Sequence, residues 1–348
     1  MPTNSAETSI ASSTELKLLR SEEKFHFLFQ HSPIGMAMVD HATGQFLEVN
    51  QSVLNSTGYT REEFLKLSYW DITPKEYEIQ ELEQIEELNR TGRFGAREKE
   101  YIRKDGSRYP IRIRGFILTE TDGRKVVWGI VEDISEQKQA EQEIRNLAFY
   151  DTLTTLANRR LLNERIDIAM ADSRRSKRYA ALVVLDLDGF KPLNDRHGHV
   201  FGDLLLVEVG QRLKACVRDV DTVARYGGDE FVVLISDLHK KLSESGLAAK
   251  TIAEKIQAAI SQPYCLTTVG ADGLDIAVEH TCTASIGVAL FVDDEVSREE
   301  VFSSADAAMY QAKEAGRNLI RFAALARDPQ ALPDVNKPLN LECLSRSA

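Results

Sequence analysis

The 348 residues are enough for two domains, or three small ones. Hydrophobic residues at 43% and charged residues at 28% exclude a disordered or collagen-like chain. Lys and Arg number 43 against 54 Asp and Glu, and the net charge of −11 argues against polymeric nucleic acid or an anionic membrane surface as a partner.

No apolar run approaches the roughly 18–20 residues of a membrane span; the stretch from Tyr179 to Leu185 is stopped by Asp186. The N-terminus carries neither the basic nor the apolar region of a signal peptide. Cys216, Cys265, Cys282 and Cys343 are scattered, without a CxxC pair, so a reduced, cytoplasmic chain is expected.

Residues 1–20, rich in Ser, Thr and Ala, read as a flexible N-terminal arm. From Ser21 short elements follow. Strands are expected over Gly35–Val39 and Gln45–Val49, and Thr60-Arg-Glu-Glu63 is a capping box opening a helix with Phe64 and Leu67. Lys104-Asp-Gly-Ser107 is a hairpin turn between strands at Gly95–Arg103 and Tyr109–Ile117, and Lys125–Val131 adds another strand. This is the pattern of an α+β domain over residues 21–135. Residues 136–150 hold no Gly or Pro and place Ala140, Ile144 and Leu147 on a thin apolar stripe, which predicts a helical linker.

From Asp151 strands and helices alternate, predicting an α/β domain over 151–323. Ala180–Leu185 is a buried strand running into Asp186. Thr222–Tyr226 and Phe231–Ile235 flank a turn at Gly227-Gly228, helices are expected over 248–260 and 303–314, and Cys282–Phe291 is a further strand. The tail, 324–348, carries Pro329, Pro333 and Pro338 and is expected to stay outside the core.

The second domain carries the chemistry. Asp186 ends a buried strand and Asp229-Glu230 sits at a hairpin tip, where unpaired carboxylates are costly. A divalent metal resolves that cost, and a metal held by carboxylates from two strands suits nucleoside triphosphates, whose phosphates complete its shell. Gly189, before Phe190 and Lys191, makes a turn whose backbone amides can cradle phosphate.

Arg225-Tyr-Gly-Gly-Asp-Glu-Phe231 resembles the signature of GGDEF-domain diguanylate cyclases. Asp151-Thr-Leu-Thr-Thr-Leu-Ala-Asn-Arg159 resembles the family's opening segment, with Thr155 where Gly is usual. The stretch from Asp186 to Asn194, then His197-Gly-His199, Gly202-Asp203 and Ala312-Lys-Glu-Ala-Gly-Arg-Asn318, continue the pattern in order. The resemblance implies a nucleotidyl-cyclase-like α/β fold with a central, mainly antiparallel sheet flanked by helices. It implies Mg²⁺, or Mn²⁺, on Asp186, Asp229 and the Leu187 carbonyl, with Asp229 or Glu230 accepting the proton of the attacking 3′-hydroxyl. Phe190 and Lys191 would hold phosphates through backbone amides, and Lys313 and Arg317, expected on one face of a helix end, would neutralise them. Asn194 and Asp203 would read guanine, with His199 at another position of that pocket. The implied reaction condenses two GTP into cyclic di-GMP across a homodimer. Arg218 and Asp221, nine and six positions before Gly227, resemble the family's RxxD product-inhibition site.

Residues 21–135 resemble a PAS domain. The carriers are Phe25 to Gly35, Val49-Asn-Gln, Thr57 to Phe64, Lys104-Asp-Gly and Gly129 to Ser135. This implies a sensor joined by a signalling helix to the cyclase, with its ligand unnamed. The module has no Cys for a flavin adduct and no His between His41 and His197 for haem; Trp70 and Trp128 could line a flavin or small-molecule pocket, with core packing the preferred reading. The alternative function is a catalytically silent receptor for GTP or cyclic di-GMP. The full set of metal, guanine and phosphate residues favours the enzyme.

Overall fold

A computed structural model describes residues 4–269, 273–293 and 296–323. The expected tail therefore lies outside the described residues. The chain divides between Gln142 and Glu143 into two compact units.

The first unit contains α1 (Asn4–His31), β1 (Gly35–Asp40), β2 (Phe46–Val49), α2 (Gln51–Thr57), α3 (Arg61–Phe64), α4 (Glu78–Thr91), β3 (Arg93–Ile102), β4 (Arg108–Thr119) and β5 (Lys125–Asp133). The five strands form one antiparallel sheet in the order β2-β1-β5-β4-β3. In the segment expected as an arm, 1–20, the backbone is helical from Asn4. The chain from there to His31 contains neither Gly nor Pro, and the helix stops ahead of Ser32-Pro33. Asn50 holds the turn from β2 into α2. Its buried side chain accepts from the Met36 and Val53 amides at 2.9 and 3.3 Å and donates to the Ile34 carbonyl at 2.8 Å. The capping box at Thr60 and Glu63 forms as expected. Phe46, Val49, Phe64 and Ile111 are among the buried residues between sheet and helices. Helix α5 (Ser135–Phe149) follows β5 and has no buried residue; Ile144 and Leu147 are exposed.

The second unit continues with α6 (Arg159–Ser176), β6 (Ala180–Asp188), α7 (Phe190–His197), α8 (His199–Cys216), β7 (Thr222–Gly227), β8 (Glu230–Ile235), α9 (Leu242–Ile260), β9 (Tyr264–Val269), β10 (Asp275–His280), β11 (Thr283–Phe291), α10 (Arg298–Glu314) and β12 (Ile320–Phe322). Its main sheet runs β12-β11-β6-β8-β7, antiparallel except for the β11–β12 pair; β9 and β10 make a separate hairpin. Strand β6 is central and buried on both faces. Ala181, Val183, Leu185 and Leu187 join the core that includes α8 and α9 residues, while Ala180, Leu182 and Val184 join the core with α6 and α10. Asp186 and Asp188 share the parity of this second set, so the strand delivers both carboxylates to the α10 side.

Candidate active site

The site is built where β6 ends. Asp186 lies opposite Glu230 in the β6–β8 register and opposite Ser285 on β11, so it is walled on both sides. Its Oδ2 meets the Lys313 ammonium at 2.7 Å. Burial pushes the Asp186 carboxyl above its ordinary range more than Lys313 pulls it down, and Asp229 adds to the rise. Glu230 is also pushed up, first by burial and then by Asp186, Asp306 and Asp229.

The hairpin tip is fixed rather than loose. Gly228 takes a φ of 52°, and Arg225 Nε donates to the Gly228 carbonyl at 3.0 Å while its Nη1 reaches Asp151 at 3.2 Å. The Leu187 amide donates to the Asp229 carbonyl at 3.3 Å. N–H and C=O of one strand residue point to the same side, so the Leu187 carbonyl faces the tip as well. Two carboxylates and a carbonyl, with the Asp186 carboxyl raised chiefly by burial, fit a hard divalent cation sharing its shell with phosphate oxygens. Among the described residues no group of three His, Cys, Asp or Glu side chains forms a self-sufficient metal site.

Gly189, with φ 81°, ends β6 and opens α7 without a side-chain cap, leaving the first amides of that helix, at Phe190 and Lys191, to a ligand. Helix α7 turns into α8 at Gly198. That turn lays Asn194 against Gly202, where a Cβ would come within 1.9 Å of Asn194 Oδ1. The Asn194 Oδ1 atom is buried without a hydrogen-bond partner, an acceptor still seeking a donor. Asp203, beside Gly202, and His199, at the start of α8, are exposed.

Lys313 and Arg317 do not share a helix face. Helix α10 ends at Glu314, and Gly316, Arg317 and Asn318 all have positive φ, of 119°, 64° and 47°. The turn, not helical spacing, brings Arg317 back, 4.0 Å from Asp188. Asp188 is the residue that motif reading passed over. It accepts from Thr283 and Ser285 at 2.7 and 2.9 Å and from the Asn318 amide at 3.1 Å, tying the post-α10 turn to β6. Its signal in sequence was the second Asp of Asp186-Leu-Asp188.

Arg218 and Asp221 pair with each other, not with these groups. Arg218 donates to both Asp221 carboxylate oxygens at 3.1–3.2 Å and to the Ser236 carbonyl at 2.8 Å. Asp221 precedes β7 and Gly227 ends it, a separation of roughly 20 Å along an extended strand.

The pattern of the diguanylate cyclase GGDEF domain matches residues 148–319, and that of a PAS domain residues 33–136. The chain belongs to the PAS-domain-containing GGDEF diguanylate cyclase family. Diguanylate cyclase DgcM of Escherichia coli O157:H7 is 31% identical over 306 residues, covering 84% of this chain and 67% of DgcM. The bifunctional diguanylate cyclase/cyclic di-GMP phosphodiesterase MucR of Pseudomonas aeruginosa is 45% identical over 180 residues, which are 52% of this chain and 24% of MucR. The chain thus spans about a quarter of the length of that relative. The coiled coil and GGDEF domain of DgcB from Caulobacter crescentus, solved in complex with c-di-GMP, aligns with 29% identity and a TM-score of 0.47, covering 55% of this chain and 93% of that one.

Proposed function

We propose that the chain is a diguanylate cyclase that joins two GTP into cyclic di-GMP and releases two pyrophosphates. The observation that carries this reading is the Asp186–Glu230 pair, two carboxyls facing each other across the β6–β8 register and both raised, first by burial and then by neighbouring carboxylates, beside Asp229 and the Leu187 carbonyl. A divalent metal, Mg²⁺ or Mn²⁺, held by Asp186, Asp229 and the Leu187 carbonyl supplies Lewis-acid charge neutralisation at the phosphates.

The chain's own groups account for the remaining steps. The α7 amides at Phe190 and Lys191 bind phosphate oxygens. Lys313 releases Asp186 and turns to the β- and γ-phosphates, joined by Arg317. Asn194 Oδ1 and Asp203 accept from the guanine edge, with His199 bordering the pocket. Glu230, whose raised carboxyl sits closer to working pH, takes the proton of the 3′-hydroxyl as its oxygen bonds to the α-phosphorus of the second GTP and the bond to pyrophosphate breaks. The second unit of each copy holds one GTP, so two copies face each other across a two-fold axis. The exposed Ile144 and Leu147 of α5 support such pairing.

Product inhibition at Arg218 and Asp221 belongs to the same proposal. The Asp221 carboxylate is fully buried and engaged, so cyclic di-GMP would meet the half-exposed Arg218 first. The PAS unit would set the rate through α5. Asp186→Asn and Asp229→Asn should each lower product formation at least a hundredfold with the circular dichroism spectrum unchanged, and EDTA should do the same to the parent. Full turnover in EDTA would overturn the metal assignment.

A further inference from the structure

A cleft of about 730 Å³ opens beside the tip of the β7–β8 hairpin, with Gly227 and Gly228 in its wall. None of Asp186, Asp229, Glu230 and Lys313 lines it, so it borders the metal site without opening onto it. Arginines set its character. Arg225 is paired with Asp151 at 3.2 Å, Arg160 with Glu164 at 3.8 Å, and Arg298 with Asp167 and Glu299 at 2.9 and 3.0 Å. Arg159 is the exception. It is exposed and makes no ion pair among the described residues; its guanidinium lies 4.8 Å from the Tyr226 ring centre, and Tyr226 in turn stacks on Phe302 at 4.5 Å.

An arginine laid over an aromatic ring is oriented while its N–H groups stay unspent. Asn163 stands one turn further along α6, half-buried in the cleft wall, and its side-chain amide has no hydrogen-bond partner among the described residues. The first amides of α6 are already engaged: Asn158 Oδ1 accepts from those of Arg160 and Leu161 at 3.0 and 3.1 Å. What the cleft offers a ligand is therefore one uncompensated guanidinium with an amide beside it, which suits an anion with several oxygens.

The metal site has the complementary deficit. Asp186, Asp188, Asp229 and Glu230 gather there, and the two nearby cations, Lys313 and Arg317, lie 2.7 and 4.0 Å from Asp186 and Asp188. A divalent ion evens that balance but leaves the charge of a triphosphate, which grows on the pyrophosphate as its bond breaks, short of cations. Joining two GTP requires the 3′-hydroxyl of one to touch the α-phosphate of the other. Each hairpin tip, which carries Asp229, then lies close to the other copy's nucleotide, and the cleft beside the tip lies with it.

We propose, resting on the cyclase reading above, that Arg159 acts across the dimer. With Asn163 beside it, Arg159 binds the phosphates of the GTP held by the facing copy. Each complete site takes its metal ligands from one copy and Arg159 from the other. As the 3′-oxygen of one GTP bonds to the α-phosphorus of the second, the bond to pyrophosphate breaks and the hydroxyl proton passes to Glu230. The charge gathering on the departing pyrophosphate meets Arg159.

The test is a heterodimer of full-length chains, one carrying Arg159→Ala and the other Asp229→Asn, isolated through a different affinity tag on each and incubated with GTP and Mg²⁺. As a homodimer, Arg159→Ala should turn over about a hundredfold more slowly than the parent, with Arg159→Lys, which keeps the charge but loses the fork, between the two. The heterodimer retains one complete site, with metal ligands from the Arg159→Ala chain and Arg159 from the other. It should form one phosphodiester and release the linear dinucleotide pppGpG with one pyrophosphate, roughly tenfold or more faster than either variant homodimer forms any phosphodiester. If Arg159 serves its own copy's GTP, both sites of the heterodimer are broken and it is no faster than the homodimers; that result overturns the proposal. An Arg159→Ala homodimer as fast as the parent overturns it too. A parent chain that makes no cyclic di-GMP fails the cyclase reading itself, which separates the two failures.

Discussion

Thr155 is a β-branched residue at φ 56°, held there by the Thr155 amide donating to the Asp151 carbonyl at 2.9 Å. The left-handed region costs a non-glycine residue about 1–2 kcal/mol, whereas glycine enters it freely but loses about 0.5–1 kcal/mol more chain entropy. Thr155→Gly should therefore stabilise the protein by about 1 kcal/mol, measurable by urea unfolding of the parent and variant. Glu230 makes a second test at this scale. Its carboxyl is raised in the folded state, so the fold binds its proton more tightly than the unfolded chain does. Stability is then lost as pH rises from the ordinary carboxylate range through the raised value, the opposite of a salt-bridged acid. In EDTA, Glu230→Gln should melt above the parent, with the gap widening from about pH 4 to pH 7. A gap that narrows with pH would contradict the crowding described at Asp186.

At the scale of elements, α10 is seated on β11 through Gly287, where a Cβ would lie 2.0 Å from the Ala305 carbonyl oxygen and 2.3 Å from the Met309 amide. Gly287→Ala must lift the helix, at a cost of about 1–3 kcal/mol. Lys313 lies one turn beyond Met309, so the KM for GTP should rise along with the loss in melting temperature; an unchanged KM would separate helix seating from phosphate binding. The elements differ in how openly the sequence declares them. Strand β6 is legible because a strand buried on both faces is an unbroken apolar run, and the Gly227-Gly228 hairpin because few residues tolerate that turn. Helix α4 escaped although Ile79, Leu82, Ile85 and Leu88 recur every three residues; its buried face mixes Leu88 with Glu81 and Gln84, so burial does not follow the apolar pattern alone. Asp188 and the Arg317 turn escaped for another reason. Their partners Thr283, Ser285 and Asn318 are about 95–130 positions away in the chain, and three successive positive φ values are not written in any spacing rule.

For the whole molecule, the account makes one domain sense and the other synthesise. Its central claim is chemical: paired copies of this chain turn two GTP into one cyclic di-GMP. A single GTP site cannot complete the reaction alone, so turnover per chain should rise with protein concentration and then level off as dimers saturate. The measurement that bears on the claim most directly is incubation of the purified chain with GTP and Mg²⁺, followed by separation of the nucleotides and assay of pyrophosphate. The account predicts one cyclic di-GMP and two pyrophosphates for every two GTP consumed. GTP returned intact over a range of protein concentrations, or converted only to GDP and phosphate, would contradict it.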